Sequence, residues 1–338
     1  MVLSNKGSAC QDLTEKGTSA YSRKRIDWID SLRALAMIFV IYGHRGPGFT
    51  GYFVFTSPIK ITLFFAITGY VFNPHGSTKA FFYKIFRQLI VPWLVLSIVP
   101  YLLLTPIKGG SYLGAHISNI LSGKENWYMP ACIIAEIMWY YVLKVKKKWA
   151  KGVICIVSFI IGILLYQADI LDILMINRAM CAIVFIYMGH LFRCYESQID
   201  RLKLSLPLLT GTCIYIGLGL LTLFLYPGEN LDVHLNRYYS YPICFAMIII
   251  GLFIVFILAK KIGSFTKGVL LIGQNTLIIY LSHSYIAAIL AKVFSLVRVP
   301  INPFTNILIT VITCAVGTAL GLIINRFIPG IMGKKKMA

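Results

Sequence analysis

Apolar runs of the length a helix needs to cross a hydrocarbon core, roughly 20 residues, recur along almost the whole of this chain. They fall at 29–45, 52–72, 83–105, 126–143, 152–167, 176–192, 206–226, 241–259, 269–292 and 304–327. Backbone in lipid must satisfy its own hydrogen bonds, and a helix does so within one segment. The expected fold is therefore all-α: a polytopic integral membrane bundle of about ten transmembrane helices. The first, fourth and fifth runs are short for full spans, and the second opens with Ser57 and Pro58. Composition agrees, with 58% hydrophobic and 13% charged residues, where soluble chains sit near half and a quarter.

The net charge of +20 could suggest a nucleic-acid partner, but the placement of the charges argues for none. Connections taken alternately from the N-terminus separate the basic residues roughly threefold. One side holds Arg23–Arg25, Lys79, Lys84, Arg87, the run from Lys144 to Lys151, Arg193, Arg201, Lys203, Lys260, Lys261, Lys267, Arg326 and Lys334–Lys336. The other holds Arg45, Lys108, Lys124, Arg178, Arg237, Lys292 and Arg298. Basic residues favour the cytoplasmic side of short loops, so ten spans with both ends in the cytoplasm fit best. Residues 1–25 read as a disordered cytoplasmic tail, 26–330 as one transmembrane domain and 331–338 as a short basic tail. The lipid bilayer of the cell membrane is the expected surrounding. No apolar stretch with a small-residue cleavage site opens the chain, so no cleaved signal peptide is expected. Eight cysteines are scattered through apolar segments without metal-ligand spacing, which predicts neither a disulfide framework nor a metal site. No internal repeat specifies an inverted-repeat transporter, and nothing specifies an oligomer.

Within the first run, DSLRALAMIFVIYGHRG, stand Arg33 and His44. Ionisable residues at membrane depth are costly and are functional candidates by default. Eleven residues separate the two by about 16 Å along a helix and return them to nearly the same face. His44 reads either as a helix-end histidine bonded to a carbonyl or as a general base well inside the bilayer, its ordinary pKa being near neutrality. Arg33 reads either as a snorkelling residue paired with Asp30 or as a planar fork for the phosphates of a cytoplasmic cofactor. Together they favour function. His283, near the same depth in the ninth run, could share acid–base duty or be a core histidine. Glu136 is the most deeply placed acid, a catalytic candidate that could orient a histidine or pair with a cation such as Lys60. Asn275 could bond a cofactor arm or another helix. Arg178, at an outer helix entrance, could bind an acceptor or a developing oxyanion, or anchor the interface. Asn126 and Trp127 are candidate substrate contacts; Trp127 could stack on a sugar ring or belong to the interfacial belt.

IDSLRALAMIFVIYGH resembles the first helix of the acyltransferase 3 family of integral membrane O-acyltransferases, with Arg33, ten residues and His44 matching its motif. LFFAITGYVF is similar to the family's FF-x-x-SGY element, with Thr68 in place of serine. NWYMPACIIAEI resembles its tryptophan-containing WFLPAL stretch. In NRAMCAIVFIYMGHLF, Arg178 holds the arginine place and His190 stands where tyrosine is common. GQNTLIIYLSHS resembles GKNSL-x-IYLIH. The matches come in family order over nearly all the apolar chain. The resemblance implies transfer of an acyl group, commonly acetyl from acetyl-CoA as donor, to a hydroxyl of a carbohydrate on or bound for the cell surface. The WYMPA-like stretch leans towards the fucose 4-O-acetylase-like branch. In that reading Arg33 and neighbouring basic loops meet the donor phosphates, His44 deprotonates the acceptor hydroxyl, and Arg178 or Asn275 steadies the oxyanion. The rival is a secondary transporter or exporter of an anionic or sugar substrate.

Overall fold

The computed structural model describes residues 25–44, 49, 51–74, 76–108, 113–170 and 172–334; expectations resting on residues 1–24, Arg45, His75, Tyr112 and 335–338 lie outside the described residues. Among the described residues the regular elements are helices. They are α1 (Asp27–His44), α2 (Tyr52–Val71), α3 (Thr78–Ile85), a π-helical turn (Phe86–Ile90), α4 (Val91–Lys108), α5 (Leu113–Ser122), α6 (Tyr128–Leu143), α7 (Lys148–Gln167), α8 (Ile176–Ile199), α9 (Ser205–Leu225), α10 (Tyr241–Ile262), α11 (Lys267–Gln274), α12 (Thr276–Leu296) and α13 (Pro303–Phe327). A 3-10 turn, Ile173–Met175, leads into α8, and another, Pro329–Met332, follows α13.

Among the described residues, eight helical stretches are long and apolar enough to cross a membrane. The first and fourth expected spans, α1 and α6, are not among them. Three charges (Asp27, Asp30 and Arg33) lie in the 18 residues of α1, and α6 has only 16 residues. Large apolar side chains such as Ile160 and Leu164 of α7, Leu206 and Phe224 of α9, and Val311 and Phe327 of α13 point outward, as lipid-facing surfaces require. The centre is α2 against α8. A Cβ on Gly69 would stand 1.8 Å from the Ile186 carbonyl oxygen, and one on Gly189 1.7 Å from that of Ala66. The reciprocal pair lets two backbones touch, the packing that membrane helices obtain from small residues. Trp139, Phe65, Phe185 and Phe256 are buried around this crossing.

One expected span is distorted and another interrupted. The run at 83–105 overlaps one continuous helical stretch long and apolar enough to cross a membrane, Thr78–Val99, which carries a π turn between α3 and α4. The run at 269–292 breaks at Asn275, whose backbone leaves the helical region at φ −112°. Its side-chain amide donates to the Leu271 carbonyl at 2.8 Å and accepts from Asn325 at 3.0 Å, offering local partners that compete with a continuous helix. The segment expected as a basic tail is partly structured: its turn packs against α4 and the π turn, and Lys334 donates to Asn325 at 2.6 Å. Cys132, Cys155, Cys181, Cys213, Cys244 and Cys314 are free thiols. Cys194 is disulfide-bonded, against the expectation of none.

Candidate active site

Helix α1 begins with Asp27 and Asp30 in its first turn, where carboxylates suit the helix dipole. Asp30 is 1% exposed and holds an arginine on each oxygen: Arg25 Nε donates at 2.8 Å and Arg33 Nη1 at 2.9 Å. Arg25 also donates to the last carbonyl of α11, Gln274, at 3.3 Å. Helix α11 reaches this point because residue 273 is glycine; a Cβ there would lie 1.8 Å from the Asp30 carbonyl oxygen. The carboxylate therefore fixes two guanidinium groups side by side rather than neutralising one.

Those arginines open onto a cavity of about 600 Å³ walled by α1, α2, α3, the π turn, α6, the α11–α12 break and the C-terminal turn. Lys84 and Lys334 join Arg25 and Arg33 in its lining, with Asn73, Gln88 and Gln274 as neutral polar partners. Four cations from three segments distant in sequence thus converge on one hollow. Burial and the charge of Arg25 hold the Lys334 ammonium below its ordinary pKa. Glu136 and Cys132 line the same cavity, one helical turn apart on α6, with the thiol 3.9 Å from the carboxyl. The cation acting on Glu136 is Lys84. The suggested partner Lys60 lies elsewhere, 5.3 Å over the Phe53 ring and beside Gly43, with Asp232 as the charge acting on it.

At its inner end the cavity is lined by Val40 of α1, Phe64 of α2, Tyr128 of α6 and Tyr280 of α12. Tyr128 and Tyr280 meet edge to face with ring centroids 5.5 Å apart, and the backbone N–H of Tyr128 donates to the Tyr280 hydroxyl at 3.3 Å. One helical turn beyond stand the two histidines, with ring centroids 5.2 Å apart. His283 is 3% exposed, and its Nδ1 lies 2.6 Å from the Tyr280 carbonyl. That contact fixes the Nδ1–H tautomer and leaves Nε2 as the basic atom. His44 closes α1 and is exposed. Arg33, Val40 and His44 occupy one stripe of α1, since steps of seven and eleven residues both return close to the starting face. The cavity runs along that stripe from Arg33 to Val40 and stops one turn short of His44.

The other candidates are engaged away from this line. Asn275 faces α13 through Asn325 and does not line the cavity. Arg178 is 6% exposed. It pairs with Asp172, donates to Asn177 Oδ1 and the His234 carbonyl at 3.0 Å each, and lies 4.7 Å over the Tyr166 ring. Trp127 stacks on His234 at 4.6 Å. Burial draws His234 below its ordinary pKa against the pull of Asp232. Asn126, at φ 55°, donates to Ser97 Oγ at 2.9 Å. Arg178 and Trp127 tie helix ends to the loop before α10, and Asn126 ties the start of α6 to α4, roles that no sequence spacing announced. Conversely, Lys84 and Lys334 were not singled out because the groups they join lie in remote segments, and Tyr280, though inside the GQNTLIIYLSHS stretch, carried no signal of its place beside Tyr128. No group of three or more potential metal ligands occurs among the described residues.

Residues 26–326 match the family model described as the acyltransferase domain of the acyltransferase 3 family. No curated protein and no solved structure matches the chain.

Proposed function

This chain belongs to that acyltransferase family and is a multi-pass membrane acyltransferase; from that premise we propose that it moves an acetyl group from cytoplasmic acetyl-CoA to a hydroxyl of a cell-surface or lipid-linked carbohydrate. The carrying observation is the single stripe of α1, with Arg33 in a ring of cations at one end and His44 beside His283 beyond the other. The donor's phosphates meet Arg25, Arg33, Lys84 and Lys334, where charge-assisted hydrogen bonds are strong. The pantetheine arm lies along Thr68, Cys132 and Glu136 and brings the thioester to the tyrosine pair. Its length is comparable to the rise of about 16 Å between Arg33 and His44.

His44, exposed on the far face, accepts the proton of the acceptor hydroxyl as that oxygen attacks the carbonyl carbon. His283, with Nε2 as its basic atom, shares the proton. Glu136 belongs to the donor channel rather than to the proton transfer. The arrangement also suits ten spans, with α1 and α6 as short crossings, both chain ends in the cytoplasm of a cell membrane, and the fucose 4-O-acetylase-like branch. Glycans released from cells with and without the chain test the reading. Loss of one acetyl group per modified sugar, with restoration by the wild type but not by His44→Ala, is the expected result. Unchanged glycan masses together with donor-independent uptake of sugar into liposomes would return the transporter reading.

A further inference from the structure

Acyl transfer through a tetrahedral intermediate needs a donor aimed at the oxygen that becomes negative. The two side chains considered from sequence for this task are committed elsewhere, Arg178 to Asp172, Asn177 and the His234 carbonyl, and Asn275 to Leu271 and Asn325. Tyr280 stands between the cavity and His283. Tyr280 lines the inner end of the cavity, its ring centroid lies 5.8 Å from that of His283, and its own carbonyl holds His283 Nδ1. Its oxygen accepts the Tyr128 backbone N–H at 3.3 Å, and among the described residues no acceptor takes its proton.

The Tyr128 N–H is one of the otherwise orphaned donors in the first turn of α6. It sits at the positive end of that helix. A hydroxyl that accepts such a bond is fixed in direction and polarised, and becomes a stronger donor in turn. We propose that the Tyr280 hydroxyl is the oxyanion donor of this acyltransferase, a catalytic residue that touches the reacting carbonyl oxygen. This rests on the acetyl-CoA reading above. The acceptor oxygen bonds to the thioester carbon while its proton passes to His44. The carbonyl electron pair moves onto oxygen, which takes the Tyr280 hydrogen bond. The carbonyl then re-forms as the carbon–sulfur bond breaks, and the thiolate recovers the proton from the imidazolium. The ester and free CoA thiol leave; Tyr280 neither gains nor loses a proton.

Thiol release from acetyl-CoA is measured in isolated membranes that carry the cell's own acceptor. Tyr280→Phe keeps the ring and is expected to lower kcat by about 10²–10³-fold, the cost of deleting one oxyanion donor. The KM for acetyl-CoA should stay within about twofold, because the lost contact forms in the transition state. A second readout does not need turnover: a carbon-13 carbonyl ketone analogue, with methylene in place of the thioester sulfur, should show a lower carbonyl stretch in the wild type than in Tyr280→Phe. Incorporation of 3,5-difluorotyrosine at 280 keeps the shape and raises donor strength, and at pH 6 should not reproduce the loss. A kcat for Tyr280→Phe within about threefold of the wild type, or one carbonyl frequency in both proteins, overturns the assignment. Absence of thiol release by the wild type defeats the acyltransferase substrate reading itself.

Discussion

The proposed proton transfer rests on His44, a side chain whose neighbours were partly legible. The eleven-residue step from Arg33 places both on one stripe of α1, and the structure keeps that register. His283, read from depth alone, stands 5.2 Å away by ring centroid. His44→Ala is expected to remain folded and membrane-inserted, because the residue is exposed at a helix end. It should lose at least about 10²-fold in kcat, the usual worth of a general base; comparable turnover by wild type and variant would refute the role. The cation ring was not legible: Arg25, Lys84 and Lys334 look like ordinary basic residues until three segments meet.

Lys334 gives a pH prediction. Its folded pKa is depressed by burial and by Arg25, so its ammonium discharges at a lower pH than a free lysine. Donor binding should therefore weaken as pH rises through that window, whereas folding stability, by the same linkage, rises with pH there because the folded state binds fewer protons. Lys334→Arg should flatten the alkaline rise in KM, since arginine stays charged. S-acetylpantetheine, which lacks the adenosine phosphates, should show neither effect in steady-state kinetics.

Among elements, the helices that pack by small residues are the most constrained. Gly189→Val places a branched side chain where even a Cβ meets the Ala66 carbonyl oxygen at 1.7 Å. The backbones of α2 and α8 must part, and overpacking of this kind costs at least about 1–3 kcal/mol. Thermal unfolding in detergent should show a lower transition for this variant and none of that size for a substitution at Gly217, which has open space around it. Apolar run length located most helices to within a few residues, because hydrophobic length is a direct consequence of bilayer thickness. The π turn between α3 and α4 and the break at Asn275 were invisible to it. The break has side-chain partners in its own segment and in α13, and the π turn packs against the C-terminal turn, contacts that apolarity does not encode.

For the whole molecule, the two ends of the described chain meet: Arg25 and Lys334 line one cavity mouth. Reporter fusions before α1 and after Lys334 should consequently fall on the same side of the membrane, as an even number of crossings demands, and opposite labelling by an impermeant reagent would rule the arrangement out. Ligand linkage supplies a second check. Free CoA at about 100 times its Kd should stabilise the wild type by roughly 2.7 kcal/mol, and the shift in unfolding temperature should shrink in Arg33→Gln.

The turn at Pro329–Met332 and the lysine beyond it have a further consequence for biogenesis. Met332 and Lys334 line the same cavity as Arg25 and Arg33, so late-made residues complete a wall begun by early-made ones. That wall closes only once the C-terminal turn has folded back against α4 and the π turn, whatever the order in which the membrane helices insert.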